Sequence, residues 1–422
     1  MTNEIRRKWN KAPITWENVN VPAAYINVPA AYIFLVAVVY MSSNSPSYVT
    51  TLLQPILKPT GLDGIVMVGI AVLIFLALVV LWWVRTKLTL DTRNCDNMNK
   101  LYGEAAQLTT MSFTNSTKDF FLRDYYIKTA YNCCASGQFK NDFVNVCALK
   151  NCLKQGARCL DFEIYSVDNK PVIAVSSLTD FYVKETFNSV PFATAMQVVA
   201  DYAFASSVCS NSGDPLILHL RMQTNNRQLC DNIASTLQTV LGDKLLDAQY
   251  SYENNYSNFG AVPLSELMGK VIVIVDKTHA LFEGTKLAEF VNMASGQNFM
   301  RILRAYDVQF TPDLNELITF NKEFMSISLP DLKANAVNQG ILMPMNAGVQ
   351  MIGLCFQKYD ANMMYYQKMF NKAGTAFILK PEKLRYKAVL IGPPKPAPAT
   401  WDSAEKAIDA GGIPLPEGTR TV

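Results

Sequence analysis

The stretches CLDFEIY at 159–165 and KPVIAV at 170–175 decide the fold of this chain. Each is a short apolar run bounded by Gly, Pro or Asp, which is typical of a β-strand. Three more runs share this pattern: PLILHL at 215–220, KVIVIVD at 270–276 and VQMIGLCF at 349–356. Strands of this kind, spread over a long stretch of chain, predict a largely buried β-sheet.

Amphipathic helices are predicted between these strands. FATAMQVVADYAFASSV at 192–208 and RQLCDNIASTLQTVLGDKLL at 227–246 place apolar residues every three or four positions. Such helices pack one face on a sheet. The alternation of strand and helix predicts an α/β fold, either a barrel or a doubly wound sheet, with any site at the carboxyl ends of the strands. The pattern alone does not choose between the two.

Composition excludes several classes of protein. The 422 residues are enough for two or three domains, or for one large barrel with appendages. Hydrophobic residues make up 50% of the chain and charged residues 17%, which excludes a disordered protein and indicates a membrane segment. The net charge of +3 is too small to indicate nucleic-acid binding, so no nucleic-acid partner is predicted.

Histidine and cysteine counts restrict the chemistry further. Only His219 and His279 are present, so a mechanism that needs two histidines must use both. The nine cysteines form no paired CxxC motifs, which predicts free, buried thiols in a reducing compartment and no zinc site. Glycosylation sequons at Asn115 and Asn255 would matter only if this part of the chain were lumenal.

A membrane anchor is predicted near the amino terminus. Residues 64–84 carry no charge and would span about 30 Å as a helix, so we expect a transmembrane helix there. Trp82 and Trp83 close it at the interface. Residues 21–42 form a shorter apolar segment with two prolines, predicted to be a second span, with an interfacial or re-entrant segment as the alternative.

Charges around these segments predict their orientation. The basic amino terminus, 1–20, precedes the first segment, Arg85, Lys87 and Arg93 follow the second, and the loop between them carries only Lys58 and Asp63. The positive-inside rule then predicts a multi-pass membrane protein, a two-helix hairpin with the amino terminus and the large domain on the cytoplasmic side. Membrane lipid is the predicted partner of residues 21–84.

Several fragments in order along residues 126–385 resemble the catalytic X and Y halves of phosphoinositide-specific phospholipase C. They include YIKTAYNCCASGQ (126–138), ARCLDFEIY (157–165), KPVIAVSSLT (170–179), PLILHLRMQ (215–223), VPLSELMGKVIVIVDK (262–277), NAGVQMIGLCFQ (346–357) and AFILKPEKLR (376–385). The resemblance implies a distorted (β/α)8 TIM-like barrel.

The resemblance also implies a division of the chain. We expect an X-like half barrel at 95–280, a linker at 281–330 and a Y-like half barrel at 331–386. A proline-rich carboxyl-terminal arm follows at 387–422, either a disordered tail or a strap that binds a neighbouring protein.

The proton-transfer positions of the family are altered in this sequence. The family's reaction uses two histidines as general base and general acid, together with Ca²⁺. The first histidine position holds Tyr131, and the second falls at or beside Val175. Tyrosine ordinarily titrates near about pH 10, and valine carries no proton. The resemblance therefore implies that both catalytic positions are degenerate.

The family's calcium site is altered as well. Asn132 matches the ligand asparagine, and Asp161 and Glu163 match the carboxylate pair with their identities exchanged, but the fourth position holds Arg221. A guanidinium cannot coordinate a cation. We expect no metal and no cofactor, with Arg221 in the vacated space paired to one or both carboxylates. The alternative is an Arg221 turned out to solvent.

The family's contacts to inositol phosphates also weaken. The resemblance places Ala336 and Val337 where the family has a serine, and Gly374 near the place of its arginine. Together with the altered proton and metal positions, this predicts a pseudoenzyme rather than a phosphoric diester hydrolase.

The predicted role is that of a membrane-anchored structural or docking protein. The barrel surface and the arm would bind proteins. One possible location is the inner membrane of a large DNA virus particle, where the protein would be a minor capsid protein that links the membrane to the protein shell. The alternatives are an active phosphodiesterase that uses Tyr131, His219 and Asp161, with calcium, and a lipid or inositol phosphate binding protein without turnover.

Overall fold

A computed structural model describes residues 62–115, 119–178, 182–252, 258–277 and 282–387. The predicted amino-terminal segments 1–20 and 21–42, the arm from 388 onward, His279 and Asn255 lie outside the described residues. The chain divides into two compact units, 1–88 and 89–422.

The first unit contains a single described helix, α1, at Leu62–Leu88. Its stretch Gly69–Leu88 is long and apolar enough to cross a membrane, and none of that stretch is buried. The helix agrees with the span predicted at 64–84 and continues through Arg85 and Lys87. Because the first apolar segment lies outside the described residues, the predicted hairpin is represented here by one helix.

The second unit contains a mostly parallel, nearly closed barrel. Eight of its described strands follow one another in the order β7-β6-β5-β2-β1-β10-β9-β8, each hydrogen-bonded to the next in parallel. Their bounds are β1 Tyr125–Ala130, β2 Cys159–Val167, β5 Leu216–Met222, β6 Val271–Asp276, β7 Met293–Ser295, β8 Met300–Arg304, β9 Met325–Leu329 and β10 Met351–Leu354. Strands β7 and β8, the two ends of this order, lie side by side. The predicted α/β barrel is confirmed.

Three further strands extend this sheet. Strand β3 at Lys170–Ala174 runs antiparallel to β2, and β4 at Val190–Pro191 runs antiparallel to β3. Strand β11 at Phe377–Leu379 pairs antiparallel with the start of β1. KPVIAV is therefore a strand, as predicted, but it lies outside the ring of parallel strands.

Helices connect the strands along the chain. Their bounds are α2 Leu90–Leu101, α3 Val146–Lys154, α4 Phe192–Ala203, α5 Arg227–Leu241, α6 Ala305–Gln309, α7 Leu314–Glu323, α8 Leu342–Asn346 and α9 Ala361–Ala373. The helices predicted at 192–208 and 227–246 are present as α4 and α5, each ending some residues earlier.

The parallel strands are buried on both faces. Every residue of β5 and β6 is buried, which explains why residues 271–275 of β6 are an unbroken apolar run rather than an alternating one. The register of β2 against β5 sets Asp161 beside His219 and Glu163 beside Arg221. Because side chains two apart on a strand share a face, these four side chains lie on the same side of the sheet.

The segment 281–330 is not a linker, which corrects the prediction. It contains the barrel strands β7, β8 and β9 together with helices α6 and α7. These strands are three to five residues long. Runs this short show too little periodicity to be recognised in the sequence.

The cysteines are not all free, which corrects a second prediction. Cys95 in α2 and Cys147 in α3 form a disulfide, whereas the other seven cysteines are free and buried. The two partners are 52 residues apart in sequence and belong to no motif, so the sequence offers no sign of the pairing. This disulfide removes the support that the cysteines lent to a reducing compartment.

Candidate functional site

Asn132 opens the candidate site just after strand β1. Its φ of 44° is in the left-handed region, which asparagine tolerates better than most residues. This turn directs its N–H to Asp161 Oδ2, at 3.1 Å, and its side-chain Nδ2 donates to Glu163 Oε1 at 3.2 Å. Strand β2 supplies both carboxylates from alternate positions, so Asn132 bridges them.

Arg221 fills the space between these three side chains. Its Nε and Nη2 donate to the two oxygens of Asp161, at 2.9 and 2.7 Å, in a bidentate pair. Its Nη1 donates to Glu163 Oε1 at 2.8 Å, and Nη2 also donates to Asn132 Oδ1 at 2.7 Å. Arg221 is only 3% exposed. The predicted ion pair therefore forms with both carboxylates, and the alternative of an arginine in solvent is wrong.

The ionisation of this cluster follows from the pairing. Burial alone would raise the pKa of the Asp161 carboxyl, but the Arg221 charge and the bond to His219 hold it well below its usual range. Burial would lower the pKa of Arg221, but the two carboxylates raise it well above its usual range. Arg221 and Asp161 are therefore charged at all physiological pH values.

Every carboxylate oxygen of the pair has two partners. The remaining oxygen of Glu163, Oε2, accepts from the Tyr165 hydroxyl at 2.9 Å and from the Ser176 N–H at 3.0 Å. Burial, and then the negative charge of Glu163, raises the pKa of Tyr165, which keeps this hydroxyl a donor. The polar cluster is satisfied by the chain itself.

Tyr131 occupies the position that matches the family's first catalytic histidine. It is buried, its hydroxyl accepts a long hydrogen bond of 3.4 Å from Arg304 Nη1, and its ring lies 4.9 Å from Arg221 Cζ. Burial raises its pKa, although Arg221 and Arg304 oppose the shift. A tyrosine with a raised pKa keeps its proton at neutral pH and is a poor general base.

Val175 takes the second catalytic position. It directly follows strand β3 and is buried, and its carbonyl accepts from the Glu185 N–H at 3.0 Å. Glu185, which the sequence analysis did not single out, accepts from the N–H and the hydroxyl of Ser177 and pairs with Lys140 at 3.0 Å. Burial tends to raise the pKa of Glu185, but these bonds lower it. Val175 therefore supplies no proton carrier, and the carboxylate of the neighbouring Glu185 is held in place by a hydrogen bond from the backbone.

His219 lies in this cluster, next to Asp161, with which the alternative of an active phosphodiesterase groups it. Its Nδ1 is 2.7 Å from Asp161 Oδ1 and its Nε2 is 2.9 Å from the Ser295 hydroxyl oxygen. It precedes Arg221 by two positions on β5, so it shares that face of the sheet but lies one layer deeper in the barrel. Both nitrogens have partners and the residue is fully buried. The two-residue spacing was the available signal for this placement.

Three further residues match the positions at which the family contacts inositol phosphates. The Ala336 N–H donates to Gln138 Oε1 at 2.6 Å, and Val337 is 44% exposed. Gly374 ends helix α9 with a φ of 73°, and its carbonyl accepts from the Thr109 N–H. None of these three residues supplies a charged or hydroxyl side chain to a ligand.

The fold and the site define the class of this protein as a parallel α/β barrel with a buried carboxylate pair in strand β2, and family models identify its family. The X domain of phosphatidylinositol-specific phospholipase C matches residues 119–277, and the Y domain of the same family matches residues 279–383. Together these models cover more than half of the chain. The chain belongs to the phosphatidylinositol-specific phospholipase C family. No curated protein sequence matches it significantly.

Solved structures agree with this assignment. PLC21 of S. officinalis is 18% identical, with a TM-score of 0.53, over 64% of this chain and 38% of that one. PLC21 of L. pealei is 19% identical, with a TM-score of 0.52, over the same shares of the two chains. The chain thus spans well under half the length of these two proteins, and the likeness establishes its fold.

Proposed function

We propose that this protein is a membrane-anchored phospholipase C-like barrel without catalytic activity that serves as a structural or docking protein. The observation that carries the proposal is the guanidinium of Arg221, bonded to Asp161, Glu163 and Asn132. These are the residues that match the family's calcium ligands.

The donor set does not fit a calcium ion. Calcium takes about six to eight oxygen ligands, several of them anionic. In this barrel the oxygens of Asp161, Glu163 and Asn132 all accept hydrogen bonds from Arg221 or its neighbours, and Arg221 cannot lose its proton. Binding of the ion would require displacement of a buried guanidinium and would place two cations together.

Proton transfer lacks carriers as well. Tyr131 holds its proton at neutral pH, and Val175 has none to give. Phosphodiester cleavage needs one group to accept a proton from the nucleophile and another to donate one to the leaving oxygen. Neither role has a residue of suitable pKa at these two positions.

Membrane attachment is the second part of the proposal. Helix α1 supports it, because Gly69–Leu88 is long and apolar enough to cross a bilayer. The proposal also includes a second span at 21–42 and a barrel on the cytoplasmic side. It places the protein in the membrane of a large DNA virus particle, with partners on the barrel surface and the arm. An inactive barrel on an anchor suits such a role, because docking depends on shape and not on turnover.

The test is hydrolysis by the full-length protein in mixed micelles that contain phosphatidylinositol or its bisphosphate, with calcium or with a chelator. We expect no release of inositol phosphate above a protein-free control, and no change in Asp161→Ala. Asp243→Ala, at an exposed side chain, is the matched control. Calcium-dependent turnover that Asp161→Ala abolishes and Asp243→Ala retains would refute the proposal.

One observation favours an active phosphodiesterase as the second candidate. His219 bonds to Asp161, a pairing that can orient an imidazole for proton transfer. Its other nitrogen contacts Ser295, however, and the residue lies one layer below Arg221. If this candidate is correct, turnover is present in the same assay and His219→Ala lowers it at least about a hundredfold.

A further inference from the structure

Helix α2, which begins two residues after α1 ends, lies against helix α3 of the barrel. Cys95 and Cys147 join the two helices, with their Cα atoms 5.9 Å apart. On one side of the disulfide, Asn145 Nδ2 donates to both oxygens of Asp91, at 3.1 and 3.0 Å. The disulfide therefore lies within an extended contact between two helices.

Two more side-chain pairs complete this contact. Asn151 Nδ2 donates to Asn99 Oδ1 at 2.8 Å, and Asn94 Nδ2 donates to Asp142 Oδ1 at 2.8 Å. Each pair joins a residue of α2 to the barrel. The contact is polar along its length, and partly exposed polar contacts contribute little each.

Beyond these pairs, helix α2 is held to the barrel by Met98 and, directly after its carboxyl end, by Tyr102, which donates to the Phe356 carbonyl at 2.7 Å. All of its 12 residues are described, and Met98 is the one that is buried. An isolated helix of this length is marginally stable in water. The covalent bond to the barrel therefore adds a constraint on a helix that buries one of its own residues.

Oxidation is directed to this pair by burial. All nine cysteines are described, and only Cys95 and Cys147 are partly exposed. Thiol–disulfide exchange needs an accessible thiolate. Burial raises the pKa of the Cys230 thiol to about 11, and it raises the pKa of Cys133 and Cys152 well above the usual range of a thiol.

We propose that Cys95–Cys147 is a native disulfide that clamps helix α2 onto the barrel, and that a disulfide-carrying thiol oxidoreductase on the barrel's side of the membrane forms it. One cysteine thiolate attacks the donor disulfide, which gives a mixed disulfide and releases one donor thiol. The second cysteine thiolate then displaces the other donor thiol. The two cysteines lose two electrons and two protons, and the donor gains both as a dithiol.

The clamp gives the barrel a second covalent route to the membrane helix. Without it, the chain runs from α2 through residues 102–124 before it reaches strand β1. With it, α3 is bonded directly to α2, five residues from the start of that helix. A force on the barrel then reaches α2 without passing through the connecting segment. This inference is independent of whether the barrel is catalytic.

The first experiment counts thiols. Full-length protein is denatured in an alkylating reagent directly from the membranes in which it is produced, and peptides are mapped with and without prior reduction. We expect seven alkylated cysteines without reduction and nine after it, with a linked peptide that contains Cys95 and Cys147. Nine alkylated cysteines without reduction, or a different linkage, would overturn the proposal.

The second experiment measures hydrogen exchange in α2 of the full-length protein in nanodiscs. We expect amides of Leu90–Leu101 to exchange at least about tenfold faster in the Cys95→Ser/Cys147→Ser variant, and in reduced wild type, while barrel strands are unchanged. Cys230→Ala, which removes a buried thiol, is the matched control and should leave α2 protected. Equal exchange in oxidised and reduced wild type contradicts the clamp even if the double variant does not fold.

Discussion

Arg221 acts as a cation built into the barrel. Its four hydrogen bonds hold Asp161, Glu163 and Asn132 in one buried cluster. Removal of one partner from a buried ion pair leaves a charge without compensation, which is usually more costly than the pair is favourable. The stability of this barrel therefore depends on Arg221 whatever the function of the site.

Arg221→Glu tests whether the arginine stands where an ion would. It places a third carboxylate beside Asp161 and Glu163, so we expect a lower unfolding temperature in a chelator. Calcium that binds the folded variant raises that temperature, because a ligand at a hundred times its Kd adds about 2.7 kcal/mol to the free energy of unfolding. Thermal unfolding followed by circular dichroism, with and without calcium, measures the effect.

Arg221→Met is the matched control for this measurement. It removes the positive charge without adding an acid, so it also lowers the unfolding temperature but responds less to calcium. Wild type should not respond. A calcium-induced rise in wild type as large as that in Arg221→Glu would show that the arginine does not exclude the ion.

Part of this site could be predicted from the sequence. The alternation of Asp161 and Glu163 on one strand placed them together, and the resemblance to the family placed Arg221 beside them. His219 entered only through the alternative of an active phosphodiesterase, because it matches none of the family's catalytic or metal positions. Ser295 was missed because β7 has only three residues, and Glu185 because its loop has no periodic pattern.

At the scale of elements, helix α9 shows how the ends of a helix are fixed. Asp360 caps its start, where Oδ1 accepts from the Met363 N–H at 3.0 Å and from Asn338 Nδ2 at 3.1 Å. Gly374 ends it in a left-handed conformation, which a residue with a Cβ adopts only with strain. The helix packs over β1 and β10, where Tyr366 accepts from the Thr129 N–H of β1 and donates to the Ile352 carbonyl of β10.

Asp360→Ala is predicted to destabilise the barrel by about 1 to 2 kcal/mol, because it removes a cap and a bond to Asn338. That loss corresponds to a few degrees in the unfolding midpoint measured by circular dichroism. The control is Asp201→Ala, at an exposed aspartate that contacts Gln197 within its own helix. It should change the free energy of unfolding by less than about 0.5 kcal/mol. Equal shifts in the two variants would argue against the cap.

Elements with strong apolar patterns could be predicted, and weak ones could not. Strand β6 is an unbroken run of Val and Ile up to its last residue, Asp276, and α5 places Leu229, Ile233 and Leu237 on one face. Strands β7 to β9 owe their conformation to neighbours in the barrel rather than to local pattern. Tertiary contacts of this kind are absent from any short window of sequence.

At the scale of the whole molecule, two buried lysines link stability to pH. Lys128 lies fully buried in β1, where its ammonium nitrogen donates to Gln367 Oε1 at 2.6 Å. Lys380 donates to the Asn321 carbonyl at 2.8 Å. Burial lowers the pKa of each lysine to about 7, with Cys209 and Cys152 opposing the shift at Lys128 and Asp124 opposing it at Lys380.

The sign of the pH dependence follows from these shifts. Between about pH 7 and pH 10 the unfolded chain holds a proton on Lys128 that the folded chain has lost, so stability rises with pH. We expect wild type to gain about 1 kcal/mol more than Lys128→Met between pH 7 and pH 8. Ionisation of the unfolded thiols acts on both proteins alike and cancels in this comparison.

Parallel unfolding measurements at the two pH values, in the same detergent, check this prediction. Lys244→Met, at a partly exposed lysine, is the control and should keep the pH dependence of wild type. If Lys128→Met and wild type gain the same stability, then Lys128 keeps its proton inside the barrel.

The barrel as a whole could be predicted only through the resemblance to a family. Ring closure depends on pairs such as Ile127 with Met351 in β1 and β10, more than two hundred residues apart. Periodicity reports which segments are strands but not which segments pair. The same limit hid the bond between Cys95 and Cys147, because two cysteines in different helices share no local signal.

The guanidinium of Arg221 also sets what the barrel requires from its surroundings. A dissolved ion occupies a site according to its concentration, whereas a side chain is supplied once per molecule during synthesis and cannot diffuse away. We therefore expect this barrel to complete its folding in calcium-poor and calcium-rich fluids alike. A protein that must hold one shape while the medium around it changes gains constancy from such an arrangement.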